Sequence, residues 1–180
     1  MAKKKTYPAL FGLFRNGFLP EKTHIIGYAR TKMTNEDYLS RVTQYIKTKD
    51  DETKKLLDRF KQITSYQAGL YDDDDSWKAL ASCVSQSEQQ RQIGTGQKHR
   101  VFYMALPPSV FVPVTKGLKK NVYSSEGINR LVVEKPFGKD TQSSNELGRE
   151  IGALFKENEV LCVFCFLCVI IRIHKKDLNG

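Results

Sequence analysis

The sequence predicts an α/β fold in which short strands and helices alternate along a chain of 180 residues. Two observations support this prediction. Short runs rich in Val, Ile, Phe and Tyr are bounded by Gly and Pro, as strands are. The segments between them place apolar residues three and four positions apart, as amphipathic helices do. Strands separated by helices form βαβ units, which build a parallel sheet of the doubly wound, Rossmann-like class.

The first half of the chain carries clear start and stop signals for helices. Gly17 ends a segment with apolar residues at helical spacing. Thr34 or Asn35, and later Asp50, are suitable N-caps, and acidic residues follow them where the helix dipole favours negative charge. The predicted elements are a helix over residues 7–16, a strand over 23–28, a helix from 34 or 35 to 46, a helix starting at 50, and a strand over 64–67.

The second half repeats the alternation with one long polar interruption. Residues 85–99 are polar, rich in Gln and contain Gly, so they are predicted to form a loop. Pro107 and Pro108 stop a strand, and Ser109 is expected to cap the helix that follows. The predicted elements are a helix over residues 76–84, a strand over 101–106, a helix over 109–120, a strand over 130–134, and a helix from 141 to about 157.

The bulk composition is typical of a globular domain with a hydrophobic core. Hydrophobic residues make up 40% of the chain and charged residues 27%. The formal net charge of +9 indicates either a surface that attracts polyanions or a fragment whose acidic part lies elsewhere. The basic residues are scattered and no common RNA-binding motif is present, so nucleic acid is not an expected partner.

Three of the four cysteines, at 162, 165 and 168, lie in the apolar run Val160–Ile171. Their spacing is similar to part of an iron–sulfur run, but a fourth ligand is missing, so inert apolar thiols are favoured and no metal is expected. The run is shorter than the ~20 residues of a membrane-spanning helix, and its residue types favour a buried strand. Basic residues follow it, which leaves an interfacial anchor as an alternative. Without a secretory signal, a reducing cytoplasmic location is expected.

A strand that ends in a rigid, charged turn is the most informative motif of the sequence. Val132 and Val133 are followed by Glu-Lys-Pro-Phe-Gly over residues 134–138. In open α/β sheets, ligands bind at the carboxyl ends of the strands. Pro136 restricts Lys135 to an extended backbone, which fixes the direction of its side chain. Lys135 is therefore well placed to meet an anionic substrate.

This motif resembles the Glu-Lys-Pro-Phe-Gly segment of glucose-6-phosphate dehydrogenases. Residues 2–8 are similar to the end of that family's nucleotide-binding turn, residues 20–30 to its second strand, and residues 100–108 to its fourth strand. The resemblance implies a partial NADP-binding Rossmann domain over residues 1–158 that lacks the family's first strand, its Gly-rich turn and its second domain. Residues 159–180 are then an apolar tail unlike the family.

The resemblance also implies roles for individual residues. Lys135 would contact glucose 6-phosphate and NADP. Arg30 leaves the carboxyl end of a strand and would bind the 2′-phosphate of NADP, although spacing alone favours an ordinary surface arginine. Lys3 aligns with the nucleotide-binding turn, although it could equally be a solvated lysine at the chain terminus. Ala105 would line the nicotinamide side of the cofactor cleft. Phe111 stands where some relatives carry a tyrosine that contacts the cofactor.

The implied activity is oxidation of glucose 6-phosphate to 6-phosphoglucono-lactone with NADP, the first step of the pentose phosphate pathway. The resemblance also implies that the full-length relatives are homo-oligomers, and it leaves the oligomeric state of this chain open. The family's general base is a histidine beyond this sequence, so no catalytic residue is assigned, and the isolated chain is expected to show no turnover. His24, His99 and His174 show no catalytic spacing, and residues 72–75 lack the spacing of metal ligands. The alternative is a non-catalytic nucleotide-binding or structural remnant.

Overall fold

A computed structural model describes residues 3–134 and 141–163 of the chain. Helices and strands alternate through these residues, which form five strands and six α-helices. The described chain divides into two compact units, and the division runs through the first two strands. The first unit comprises residues 3–27 and 33–66, and the second comprises residues 28–32, 67–134 and 141–163.

The helices of the first unit begin within one residue of where the sequence predicts, but the second ends at Thr43, three residues before its predicted end at residue 46. The Thr34 hydroxyl accepts the N–H of Asp37 at 3.1 Å, and Oδ1 of Asp50 accepts the N–H of Thr53 at 2.7 Å, so both predicted caps are confirmed. Gly17 follows the first helix with a φ of +72°, a conformation that glycine adopts without strain. The three helices are α1 (Thr6–Arg15), α2 (Asn35–Thr43) and α3 (Asp51–Gln62).

The core of the first unit is aromatic. Phe60 of α3 is 0% exposed, and its ring centroid lies 5.5 Å from that of Phe11 and 5.6 Å from that of Phe14. The hydroxyl groups of Tyr7 and Tyr38 hydrogen-bond to each other, and burial raises the pKa of both. Both phenols therefore stay neutral at ordinary pH, and their polar atoms are satisfied inside an apolar cluster.

Two parallel sheets hold the five strands. β1 (Ile25–Ala29) pairs with β2 (Thr64–Ala68): the Ile25 N–H donates to the Ile63 carbonyl at 2.8 Å, and the Gly69 N–H donates to the Ala29 carbonyl at 3.0 Å. Because both bonds advance in the same direction along the chain, the pair is parallel. The second sheet has the order β3 (Arg100–Met104), β4 (Asn129–Glu134), β5 (Val160–Val163), and both of its pairings are parallel.

This topology confirms the predicted Rossmann-like class. Within the described residues, β1 and β2 form one hydrogen-bonded sheet and β3, β4 and β5 form another, and every pairing is parallel.

β4 is the most buried strand of the second sheet. Leu131, Val132 and Val133 are each at most 3% exposed, as expected for a parallel strand covered on both faces. The strand predicted over Val160–Ile171 is confirmed for Val160–Val163, which pair with β4. Residues 164–171 lie outside the described residues.

The helices of the second unit depart from two predictions. The helix predicted to end at residue 84 continues to residue 90, so the loop predicted from residue 85 begins too early. Gln and Glu are favourable in helices, and Glu88 binds Arg100 through both carboxylate oxygens, which stabilises the added turns. α4 spans Asp74–Gln90.

The second departure concerns Ser109, which does not cap a helix. It lies in the 3₁₀ turn Pro108–Val110, and α5 (Phe111–Gly117) starts after it without a side-chain cap. Pro113 occupies the first turn of α5, where its missing N–H is not needed. A π-helical turn, Leu118–Val122, continues α5, while α6 (Thr141–Leu154) is followed by a 3₁₀ turn over Glu157–Glu159.

Phe60→Ala is expected to lower the free energy of unfolding by about 3–5 kcal/mol, because a large buried ring is lost and a cavity remains. Urea denaturation followed by circular dichroism measures the change. Phe18→Ala is the matched control: the Phe18 ring is 58% exposed, so its loss should change stability by at most about 0.5 kcal/mol. Equal losses for the two variants would show that Phe60 is not a core residue.

Candidate functional site

Two side chains meet beyond the carboxyl ends of β1 and β2. Arg30 directly follows β1 and is exposed. Its guanidinium carbon lies 5.3 Å from the ring centroid of Tyr71, a residue three positions beyond β2. This is the distance of a cation–π contact. The carboxyl edge of a parallel sheet is where ligands bind, so Arg30 presents a positive charge at the expected place.

Two further aromatic rings support Tyr71 from the protein side. The ring centroid of Tyr28 lies 6.0 Å from that of Tyr71 and 4.9 Å from that of Trp77. Tyr71 is 8% exposed and Trp77 is 2% exposed. We call Tyr28, Tyr71 and Trp77 the aromatic platform. Its rings form a continuous series that ends beneath the Arg30 guanidinium.

Hydrogen bonds hold the turn between β2 and α4 against this platform. Trp77 donates its indole N–H to the Tyr71 carbonyl at 3.0 Å, and Tyr28 donates its hydroxyl to the Leu70 carbonyl at 2.9 Å. The Leu70 N–H donates to the Ser76 hydroxyl at 3.1 Å. The backbone that carries Tyr71 is therefore fixed by polar bonds as well as by packing.

Gly117 of α5 leaves the space that Trp77 occupies. A Cβ atom built at residue 117 would overlap the indole ring. The glycine is required by this close approach, since its backbone is ordinary right-handed helix. Because residue 117 has no side chain, the large indole ring of Trp77 can pack against the backbone of α5.

The run of aspartates that follows Tyr71 is occupied by local partners. Oδ2 of Asp73 accepts the N–H and the hydroxyl of Ser76 at 2.9 and 2.5 Å, which caps α4. Oδ1 of Asp74 accepts from Nζ of Lys120 at 2.8 Å and from Nδ2 of Asn121 at 3.1 Å. These two bonds, with one from Lys78, lower the pKa of Asp74 to about 2. The predicted capping role of this run is confirmed for Asp73.

The structure describes two of the three other predicted site residues. Ala105 is exposed and directly follows β3. Lys3 is exposed in the turn before α1, and its Nζ lies 5.9 Å from the ring centroid of Tyr45. Lys135 lies outside the described residues.

One phenylalanine and two histidines that the sequence analysis considered for the site have structural roles. Phe111 is 1% exposed and belongs to the core. Nε2 of His24 shares a hydrogen bond with the Ser65 hydroxyl at 3.0 Å, and Nδ1 of His99 accepts the Ile128 N–H at 2.8 Å. Within residues 3–134 and 141–163, no three His, Cys, Asp or Glu side chains form a group that could hold a metal ion. None of the helices described there is long and apolar enough to cross a membrane.

Comparison with known proteins decides which family this arrangement belongs to. A family model described as the NAD binding domain of glucose-6-phosphate dehydrogenase matches residues 1–168. The chain belongs to the glucose-6-phosphate dehydrogenase family.

Individual relatives show how much of such a protein the chain covers. A glucose-6-phosphate 1-dehydrogenase of Emericella nidulans is 48% identical over 167 residues, 93% of this chain and 32% of that protein. One of Arabidopsis thaliana, named cytoplasmic, is 42% identical over 166 residues, 89% of this chain and 32% of that protein. A solved glucose-6-phosphate dehydrogenase in complex with its substrate glucose-6-phosphate gives a TM-score of 0.81 at 43% identity, covering 90% of this chain and 33% of that chain. The chain spans about a third of the length of these relatives.

Sequence reasoning identified Arg30 within this family's pattern but did not identify the aromatic platform. A signal was present, because Tyr28 precedes Arg30 by two residues and Tyr71 follows the next strand. The carboxyl ends of adjacent parallel strands share one edge, so Tyr71 and Arg30 could have been placed together. Trp77, the chain's single tryptophan, is the fourth residue of the following helix, and nothing in the sequence marked it as part of the site.

Asp74→Asn is expected to remove part of the acid sensitivity of the fold. The pKa of Asp74 falls from 3.8 to about 2 on folding. A carboxylate whose pKa is lowered in the folded state stabilises it above the unfolded pKa, and this contribution is lost as the pH falls from 3.8 toward 2. In urea titrations over this window, wild-type stability should fall more steeply than that of the variant.

The matched control for this titration is Asp58→Asn. The Asp58 side chain is 71% exposed and pairs with Lys61 at 3.3 Å within one helix. This control should keep the wild-type pH dependence, since a surface pair of this kind contributes little. Parallel curves for wild type and Asp74→Asn would contradict the assigned role of Asp74.

Proposed function

We propose that the chain forms most of the NADP-binding domain of an enzyme that oxidises glucose 6-phosphate to 6-phosphoglucono-lactone. Family membership and the Rossmann-like parallel sheet support this proposal. The observation that carries it is the exposed Arg30 guanidinium held over the buried Tyr71 ring at the carboxyl edge of β1. Anionic ligands of this fold class bind at that edge.

The residue type at position 30 favours NADP over NAD. An acidic residue at the end of the second strand of a Rossmann domain binds the ribose hydroxyls of NAD, whereas an arginine suits the 2′-phosphate of NADP. Guanidinium groups bind phosphate through charge-assisted, often bidentate hydrogen bonds. Arg30 is exposed directly after β1, so its guanidinium is accessible to a ligand.

The remaining site residues would position the two ligands. Lys135, by its place after β4, would contact both glucose 6-phosphate and the cofactor. Ala105, exposed at the end of β3, would line the nicotinamide side, and Lys3 would stand by the phosphates at the start of α1. NADP supplies hydride acceptance when bound, and these residues supply position and positive charge. No residue of this chain is assigned as the general base.

Membership of the same family also supports proposals about the cellular location and the oligomeric state of the protein. We propose a cytoplasmic location, which the name of the Arabidopsis relative supports. A homo-oligomer is proposed for the full-length protein.

Calorimetric titration of the purified chain with NADP tests the central proposal. Binding would support it, and a chain that stays folded but binds no NADP would favour the non-catalytic remnant.

Arg30→Ala should weaken NADP binding by about 1.5–3 kcal/mol, the usual contribution of a hydrogen bond to a charged group, and leave NAD binding nearly unchanged. Parallel calorimetric titrations with the two dinucleotides measure this difference. Arg91→Ala is the matched control: Arg91 caps the far end of α4, where its Nε donates to the Ser87 hydroxyl at 3.3 Å. Equal losses of NADP and NAD affinity in Arg30→Ala would show that Arg30 does not meet the 2′-phosphate.

Lys135→Ala should weaken binding of glucose 6-phosphate by a similar amount, roughly 1.5–3 kcal/mol, because a cation that pairs with the sugar phosphate is lost. Titration of the purified chain with glucose 6-phosphate measures the change. Lys139→Ala, four positions further along the sequence, is the control and should bind as the wild type does. Identical affinities for both variants would exclude Lys135 from the substrate site.

A further inference from the structure

The Arg30 side chain is long and exposed, so charge alone does not explain selective phosphate binding. A free arginine loses much of its rotamer freedom when it binds a ligand. A guanidinium that already rests on a ring loses less, because it is partly ordered before the ligand arrives. The Tyr71 ring provides such a contact, since its centroid lies 5.3 Å from the guanidinium carbon of Arg30. The orientation of Tyr71 therefore affects how well Arg30 binds phosphate.

Tyr71 is oriented by residues that lie beneath it. The indole N–H of Trp77 bonds the carbonyl of Tyr71 itself, and the Tyr28 ring lies between the two other rings of the platform. Trp77 is 2% exposed. Its influence on a bound phosphate must therefore pass through Tyr71 and Arg30.

The surrounding charges are compatible with an anion at Arg30. Residues 72–75 are all aspartate, and they directly follow Tyr71 in the sequence. Three of these four carboxylates have other partners: Asp73 binds Ser76, Asp74 binds Lys120 and Asn121, and Asp75 binds Lys78. These contacts hold the acids in local pairs, and the Arg30 guanidinium contacts the Tyr71 ring.

We propose that Trp77, acting together with Tyr28, is a positioning residue that orders the Arg30 guanidinium on Tyr71 and so sets the preference for a 2′-phosphorylated ligand. The inference rests on the proposed function for its ligand, but its geometry can be tested without one. The test uses the 180-residue chain and two probes, adenosine 2′,5′-bisphosphate and adenosine 5′-monophosphate, which differ only in the 2′-phosphate.

Trp77→Leu is the principal variant, and Trp77→Phe is the conservative one, since phenylalanine keeps a ring against Tyr28 but lacks the indole N–H. In Trp77→Leu, affinity for the bisphosphate should fall about tenfold, the size of one charge-assisted bond, while affinity for the monophosphate stays unchanged. Trp77→Phe should recover part of the loss. Phe102→Leu, whose ring stacks on Tyr123 at 6.0 Å, is the matched control and should bind as the wild type does.

The second readout is the NMR signal of the Arg30 Nε–Hε group. A guanidinium over a ring shows a ring-current shift, and this shift should decrease in Trp77→Leu and be absent in Tyr71→Leu. An unchanged shift and an unchanged affinity ratio in folded Trp77→Leu would overturn the proposal. Equal losses of both probes would also overturn it, because they indicate a merely structural role.

Two further outcomes separate this inference from the proposed function. If the wild type binds the two probes equally, the role of Arg30 in 2′-phosphate binding fails, and the NMR shift alone then supports or overturns the positioning by Trp77. If Trp77→Leu does not fold, Tyr28→Phe takes its place, because it keeps the ring and removes the hydroxyl that donates the 2.9 Å bond to the Leu70 carbonyl. An unchanged Arg30 signal and probe ratio in Tyr28→Phe would then overturn the proposal.

Discussion

A largely buried ion pair between Arg100 and Glu88 is the interaction on which the second unit depends. Nε and Nη2 of Arg100 lie 2.9 and 2.8 Å from the two oxygens of Glu88, and Nη1 donates to the Val122 carbonyl at 2.6 Å. Both side chains are only 14% exposed. Breaking such a pair typically costs about 3–5 kcal/mol, because a charge is left buried alone. The pair joins β3, the last turns of α4 and the π-helical turn, so it fixes α4 against the sheet.

The position of the candidate site follows from this constraint. The far end of α4 is fixed by Asp74, which binds Lys120 and Asn121. Trp77 lies between these two fixed ends, and Gly117 of α5 admits its indole ring. A helix held at both ends fixes the direction of a buried side chain between them. The aromatic platform therefore takes its geometry from ion pairs that lie outside it, and Arg30 takes its geometry from the platform.

Features of the fold that depend on residues close together in the chain could be predicted from the sequence. The caps at Thr34 and Asp50 each bind a backbone N–H three positions further along the chain. The length of α4 was missed because Glu88 is stabilised by Arg100, twelve residues further along. Tyr71 was missed for a similar reason, since its contact with Arg30 joins the ends of two strands separated by two helices. Arg30 was identified only because its place after a strand carries meaning in this family.

Selectivity at such a site depends on order as much as on charge. An exposed arginine contributes little on its own, because solvent screens it and its side chain must be immobilised. The chain carries a net charge of +9, so other cations also attract anions to its surface. Those cations increase affinity for any phosphate, whether or not it stands on the ribose 2′ position. Discrimination requires one cation held at a fixed place. The Arg30 guanidinium lies over the ring of Tyr71, whose carbonyl accepts a hydrogen bond from the buried Trp77, and we propose that this arrangement meets the requirement.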